Sequence, residues 1–320
     1  MKRISKIGIL IMTLFSFSKV QSQVVSDKAT YTDTSYTTGS VISKDGTKIG
    51  YRQYGHGTPL VIVQGAMGVA YNYDQLAKAL AAGFTVYVPD RRGRGLSTLE
   101  YTPQYTIQRD VEDLQSILEK TQAHLVFALS SGAIITLEAC KVLPAIQKVV
   151  LYEPPFYVKG VPTKNIDRLN QEVAEGKLAS AMVTIFRTIK VGPPVFAYIP
   201  RPVLTFLVKR PLELEQKNGP GKYEYYSKLI PSIRYDAKIV LERGGEIKTY
   251  HSVNQPILLL GGTKSPKYLQ LSLDSLQKIL PNGSRKIFKG LDHSGPWNKD
   301  KGGSPELVAN AIIEYFKKLN

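Results

Sequence analysis

The sequence predicts an α/β protein: a mostly parallel central sheet, helices on both of its faces, and a helical cap inserted after the sixth strand. Three observations carry that expectation. From Val41 to Tyr152, short apolar runs alternate with amphipathic stretches, the rhythm of parallel strands joined by crossover helices. The same rhythm returns at Ile257 and lasts to the end of the chain. Between the two blocks, residues 156–250 hold helical patches interrupted by Pro162, Pro193, Pro194, Pro200, Pro202, Pro211, Pro220 and Pro231.

Each element has its own signal. Val41 to Ser43 and Lys48 to Gln53 flank Asp45-Gly46 and read as an antiparallel hairpin. Leu60 to Val63, stopped by Gly65, is a short buried strand. Tyr73 to Ala82 has helical spacing, and Phe84 to Val88 is a strand closed by Pro89-Asp90. Ile107 to Leu118 carries Val111, Leu114 and Leu118 on one helical face. Leu125 to Leu129 is a strand, Ser131 to Val142 a helix, and Val149 to Tyr152 a strand stopped by Pro154-Pro155. After the proline-rich segment come a strand at Ile257 to Leu260, a helix at Lys267 to Ile279 and a strand at Lys286 to Phe288. A closing helix, Glu306 to Leu319, places Leu307, Ala311, Ile312 and Phe316 at core spacing. The expected division is a signal peptide at 1–22, a flexible leader at 23–40, a core at 41–155 and 251–320, and the cap at 156–250.

The first residues read as a secretory signal. Lys2, Arg3 and Lys6 precede the apolar stretch Ile7 to Phe17, and Val20-Gln21-Ser22 offers small residues where a signal peptidase reads. That stretch is well short of the ~20 residues a membrane span needs, so cleavage near Gln23 and export are expected, with no stable membrane anchor. Export permits disulfides, but Cys140 is the chain's one cysteine and sits in an apolar run, as a small hydrophobe would.

The 320 residues, 43% hydrophobic and 21% charged, suffice for a large core. The net charge of +16 falls to +12 when Lys2, Arg3, Lys6 and Lys19 leave with the signal. Basic residues are spread along the chain and no nucleic-acid motif is visible, so solubility is the favoured reading of the charge. Residues 156–245 carry 15 basic and 8 acidic side chains, which favours a substrate with a negative group. No metal-ligand cluster or cofactor motif is visible, and none is expected to take part.

The segment that carries chemistry is Leu125-Val126-Phe127-Ala128-Leu129-Ser130-Ser131-Gly132-Ala133. A strand ends in a serine and a helix starts at once. Such a turn exposes the hydroxyl, and small residues two before and two after it let strand and helix approach. The plainer reading is a helix N-cap serine. A serine hydroxyl near pH 7 needs a base. His56, His124 and His251 precede strands and read as structural or solvated. His293, in Gly290-Leu291-Asp292-His293-Ser294-Gly295, follows the last strand at the carboxyl end of the sheet, where open α/β sheets bind ligands.

These residues resemble the α/β-hydrolase fold over residues 41 to 155 and 255 to 320. Ser130 and His293 fall in that superfamily's chain order. Asp90-Arg91-Arg92-Gly93-Arg94-Gly95-Leu96-Ser97 looks like its loop after the fourth strand, where Asp90 pairs locally. Two departures stand out: Ala128 in place of the first elbow glycine, and Gln64-Gly65 where His-Gly is common. The resemblance implies an oxyanion hole from the N–H groups of Ala66 and Ser131, next to glycines that allow close approach. It also implies an acid after the seventh strand, yet Gly261-Gly262-Thr263-Lys264-Ser265-Pro266 holds none. Glu153, after the sixth strand, takes that place in some relatives; Asp292 and a dyad with water are the alternatives. Epoxide hydrolases and haloalkane dehalogenases of this fold use an aspartate nucleophile, and position 130 is serine.

The expected function is hydrolysis of an ester or related acyl compound, with Ser130 attacking and His293 as base. A small acyl compound is the expected partner, and the apolar cap residues Phe186, Val195, Phe196, Tyr198, Leu204, Phe206 and Leu207 its expected lining. The same residues could serve a peptidase, lactonase, acyltransferase or perhydrolase. A non-catalytic binding protein on the same fold is the rival class.

Overall fold

A computed structural model describes residues 35–190, 194–217 and 226–317. The expected signal, and the leader as far as residue 34, lie outside the described residues. The first half of the core runs β1 (Thr37–Ile42), β2 (Lys48–Tyr54), β3 (Thr58–Val63), α1 (Asp74–Leu80), β4 (Phe84–Pro89), α2 (Ile107–Thr121), β5 (Leu125–Leu129), α3 (Ser131–Val142) and β6 (Lys148–Tyr152). A helical insertion follows: α4 (Thr163–Ala174), α5 (Leu178–Ile189), α6 (Arg201–Lys217), α7 (Tyr226–Leu229) and α8 (Ile233–Arg243). The chain then completes the core with β7 (Ile257–Gly262), α9 (Lys267–Ile279), β8 (Gly283–Phe288) and α10 (Pro305–Lys317).

The eight strands form one sheet in the order β1-β2-β4-β3-β5-β6-β7-β8. β2 pairs antiparallel with β1 and β4, and every other pairing is parallel. The alternation of side chains along each strand divides the core in two. Val61, Val63, Val126, Ala128, Val149, Leu151, Ile257 and Leu259 face α2, α3 and α9. Leu60, Ile62, Phe127, Leu129, Val150, Tyr152, Leu258 and Leu260 face α1 and α10. Because both faces are covered, the central strands read as unbroken apolar runs, the feature that marked them in the sequence.

Two expected boundaries move. The leader was expected to reach residue 40, but Thr37 to Ser40 already belong to β1, where Thr37 pairs with Gln53 and Thr38 with Arg52. β-Branched residues suit a pleated ladder as well as they suit a polar tail. The cap was expected to end at residue 250. Instead Phe156, Tyr235, Ile239, Ile247 and Tyr250 are buried in the core cluster under α3, and the Tyr250 hydroxyl donates to Glu138 on α3 at 2.8 Å. The insertion has a smaller core of its own, built from Ile166, Leu169, Val173, Ala181, Met182, Ile185, Ile230, Ile233 and Ala237. Helix α8 therefore belongs to both cores. Pro211 lies inside α6 rather than ending a helix. Among the described residues, no helix is long and apolar enough to cross a membrane.

Candidate active site

Ser130 stands between β5 and α3 with φ 55° and ψ −127°. A non-glycine residue in this region carries strain of about 1–3 kcal/mol, which the surroundings must hold in place. Here Ser130 N–H donates to the Tyr152 carbonyl at 2.9 Å, and Ala133 N–H donates to the Ser130 carbonyl at 2.8 Å. The two neighbours of the serine explain the departure at the elbow. A methyl at position 132 would sit 2.5 Å from the Gln64 carbonyl oxygen, so glycine is required there. Position 128 points into the core between the sheet and α3, where the Ala128 methyl is packed and buried.

Glu153 is the next residue after β6. Its φ is 48°, its N–H donates to the Leu260 carbonyl at 3.1 Å, and its side chain has no exposure to solvent. Both carboxylate oxygens are occupied. Oε1 accepts hydrogen bonds from Gly262 N–H at 2.7 Å and from the Ser265 hydroxyl. Oε2 accepts one from Nδ1–H of His293 at 2.7 Å. That bond leaves Nε2 as the ring nitrogen not engaged by the carboxylate. The His293 side chain is 18% exposed. The end of β7 and the loop after it thus carry no acid, but supply two donors to an acid that follows β6. Gly261 leaves room for this: a methyl there would lie 3.0 Å from Oε1 of Glu153.

The His293 loop is held from two sides. The Tyr152 hydroxyl donates to the Asp292 carbonyl at 2.7 Å, and Lys264 N–H donates to the Leu291 carbonyl at 2.9 Å. Tyr152 therefore touches all three parts. Its carbonyl ties the Ser130 turn, its hydroxyl ties the histidine loop, and its chain neighbour is Glu153. Asp292 turns away from the histidine: its Oδ1 accepts from the N–H and hydroxyl of Ser294 at 2.9 and 2.6 Å.

The segment Gly65-Ala66-Met67-Gly68 lies against the serine, and a methyl on Gly65 would be 2.9 Å from Cβ of Ser130. Met67 has φ 55°, and Gly68 N–H donates to the Gly65 carbonyl at 3.2 Å. Ala66 and Met67 also pack against the small core of the helical insertion. Ser131 opens α3, so its N–H has no intrahelical acceptor. Its hydroxyl is buried and donates to Asp236 on α8 at 2.6 Å. Asp90 pairs within its own loop through Oδ2, which accepts from Leu96 N–H at 2.9 Å, and also reaches a distant segment through Oδ1, which accepts from Ala70 N–H.

The remaining candidates stand apart. His56 is exposed, His124 meets the Ala145 carbonyl at 2.8 Å, and His251 meets the Lys248 carbonyl at 3.0 Å. Cys140 is buried, and burial pushes its thiol up to about 12. The apolar residues expected to line a pocket divide otherwise. Phe196 and Leu204 are buried in a satellite core of the insertion, with Phe186 and Val195 packed against them. Tyr198 and Phe206 face outward, 85% and 74% exposed. A cavity of about 720 Å³ opens instead between residues 93–101 and residues 228–235. Arg94, Lys228, Arg234 and Glu100 are its charged lining residues, beside Tyr101 and Tyr235. Among the described residues there is no cluster of three or more His, Cys, Asp or Glu side chains arranged to hold a metal ion.

Sequence reasoning missed Tyr152, Ser265 and Asp236. The signal for Ser265 was the empty acid position itself: a carboxylate brought from another strand needs donors where its usual loop would stand.

The comparisons with known proteins agree with this architecture. A family model described as the alpha/beta hydrolase family matches residues 56–311. Uncharacterized hydrolase YraK of Bacillus subtilis is 31% identical over 117 residues, 36% of this chain and 43% of that protein. N-formylmaleamate deformylase of Pseudomonas putida is 29% identical over 125 residues, 38% of this chain and 46% of that protein. The chain thus spans less than half the length of these curated relatives. Among solved structures, an alpha/beta hydrolase from Sphaerobacter thermophilus superposes with a TM-score of 0.69 at 28% identity, covering 87% of this chain and all of that one (100%). Epoxide hydrolase VrEH1 from Vigna radiata shares the fold at a TM-score of 0.62 and 18% identity, over 89% of this chain and 99% of that one. A match across most of the sheet and both of its helical layers assigns the family, and this chain belongs to the alpha/beta hydrolases.

Proposed function

We propose that the chain is an exported serine hydrolase that cleaves an ester or related acyl compound through an acyl-enzyme on Ser130. The observation that carries this reading is the buried Glu153 carboxylate on Nδ1 of His293, beside a serine held at φ 55° on the neighbouring strand end. Nε2 of His293 takes the hydroxyl proton as Ser130 Oγ attacks the acyl carbon. Glu153 fixes the ring and stabilises the imidazolium that forms. The N–H groups of Ala66 and Ser131 receive the negative oxygen of the tetrahedral intermediate. Collapse breaks the bond to the alcohol, which leaves with the proton from His293. Water then gives a proton to the same nitrogen as it attacks the acyl-enzyme, and collapse breaks the acyl–Oγ bond while His293 returns that proton to Ser130 Oγ, releasing the acid.

An anionic group on the substrate fits the charge of the insertion. Of the charged residues that line the cavity, Lys228 and Arg234 stand against Glu100, because Arg94 is already paired with Asp236. The deformylase relative is named for N-formylmaleamate, itself a carboxylate. Export rests on the basic, apolar and small-residue order of residues 1–22.

The test is a panel of p-nitrophenyl esters on wild type and Ser130→Ala. The proposal expects a burst of p-nitrophenol followed by slower turnover, lost in the alanine variant. Equal turnover in Ser130→Ala removes it. For an anionic ester, added salt should raise KM and leave the KM of a neutral ester unchanged; equal response of both removes the charge preference. N-terminal sequencing of the exported protein should begin near Gln23, and retention of Met1 would contradict export by this signal.

A further inference from the structure

Asp236 lies on α8, in the helical insertion, and takes no part in the chemistry described above. It is 3% exposed and receives three partners. Oδ1 accepts from Nη1 of Arg91 at 2.7 Å and from the Ser131 hydroxyl at 2.6 Å. Oδ2 accepts from Nη2 of Arg94 at 2.9 Å.

The two arginines reach onward to the loop that carries Ala66. Nη1 of Arg94 donates to the carbonyls of Gly65 at 3.0 Å and Gly68 at 3.4 Å. Nη1 of Arg91 donates to the Gln64 carbonyl and to the Ser131 hydroxyl, each at 3.3 Å. Nε of Arg91 is taken by Asp110 on α2 at 3.0 Å. The side chains of Arg91, Arg94, Asp110 and Asp236 are at most 4% exposed. Two guanidinium groups face two carboxylates, so this buried cluster is neutral and carries no excess charge toward the site.

Outside the arginine–carboxylate pairs themselves, these ties end on two short segments. One is Gln64 to Gly68, around Ala66. The other is Ser131, at the head of α3. These segments come from different strand ends, and one carboxylate of the insertion clamps both. We infer that Asp236 is a positioning residue that sets the two oxyanion donors, Ala66 N–H and Ser131 N–H, at their working separation by holding Ser131 directly and the Ala66 loop through Arg94 and Arg91. The inference rests on the serine-hydrolase reading and adds to it the part of the insertion that makes the hole rigid. Oxyanion donors act on charge that develops after binding, so loosening them costs rate rather than affinity for the ground state.

The experiment uses the full chain in three forms: wild type, Ser131→Ala and Asp236→Asn. Ser131→Ala removes the hydroxyl that Asp236 holds but keeps the backbone N–H and the arginine pairs, so it remains informative if Asp236→Asn fails to fold. Melting temperature, kcat and KM for p-nitrophenyl acetate, and Ki for phenylboronic acid are measured. Phenylboronic acid adds to Ser130 as a tetrahedral anion with an oxygen in the hole. Both folded variants should lose about tenfold or more in kcat and gain a similar factor in boronic-acid Ki, with KM within about twofold of wild type. A folded Ser131→Ala protein with wild-type kcat and Ki, or a loss confined to KM, overturns the role of Asp236. Fluorophosphonate labelling of wild type separates the two levels. Label on Ser130 with unaffected variants removes the positioning role alone, and an unlabelled wild type removes the serine-hydrolase reading and this role with it.

Discussion

Oε2 of Glu153 accepts a hydrogen bond from Nδ1–H of His293 at 2.7 Å, joining two residues 140 positions apart in the chain. The carboxylate is fully buried, and its other oxygen is held by Gly262 N–H and the Ser265 hydroxyl. A buried carboxylate needs each such partner, because an uncompensated charge away from water is costly. The histidine ring is therefore fixed by a group that is itself fixed.

That relationship predicts the effect of Glu153→Gln. The substitution keeps the shape and removes the charge that stabilises the imidazolium. It should lower kcat by roughly 10³–10⁴-fold with little change in KM, by analogy with the loss of the acid in a serine triad. Steady-state kinetics on a neutral ester check it. Wild-type kcat in this variant would move the acid elsewhere.

Tyr152→Phe removes the one bond from the sheet to the Asp292 carbonyl and leaves the ring packed. A single hydrogen bond contributes about 0.5–1.5 kcal/mol, so kcat should fall by about two- to tenfold while the fold holds. Comparing kcat with the melting temperature separates the two effects. An unchanged kcat would show that the histidine loop keeps its place without this bond.

Gly132→Ala should damage the fold before it touches chemistry. Its methyl would meet the backbone oxygens of Gln64 at 2.5 Å and Val63 at 2.6 Å, and neither can move without shifting β3. Overpacking of this kind costs about 1–3 kcal/mol, so the melting temperature should drop by several degrees. Ala128→Gly, by contrast, removes a buried methyl and should cost less. Calorimetry on both variants tests the order.

Glu172 gives a pH dependence to the insertion. Burial alone would raise its carboxyl, but hydrogen bonds from Thr184, Arg168 and Ser180 and the charge of Arg201 outweigh burial and hold it below its ordinary value. A lowered folded value means the folded state favours the ionised form. The resulting stability is present above the ordinary range of about 4.3 and is lost as pH falls through the lowered value. Glu172→Gln should therefore melt below wild type at pH 7, with the gap closing below about pH 4. A gap independent of pH would assign the effect to packing instead.

Much of this was legible in the sequence. The strands announced themselves because both faces of the sheet are covered, and Ser130 and His293 because each follows a strand with a glycine close by. Glu153 was legible only as a strand-end acid opposite a loop without one. What the sequence hid is contact between distant segments: Ser265 on Glu153, Tyr152 on the histidine loop, and Asp236 on Ser131, none of which leaves a local pattern. The polar residues Thr37 to Ser40 looked like a tail because an edge strand exposed to water needs no apolar alternation. Tyr198, in a turn, and Phe206, on a helix, looked like pocket lining because composition alone does not say which side of a segment meets solvent.

The proposed chemistry stands or falls with an activated serine at position 130. Fluorophosphonate labelling followed by peptide mass mapping, on wild type and Ser130→Ala, tests it most directly. One adduct is expected on the peptide that carries Ser130, and none on the alanine variant. A folded wild type without label, or a label that persists in Ser130→Ala, would contradict it.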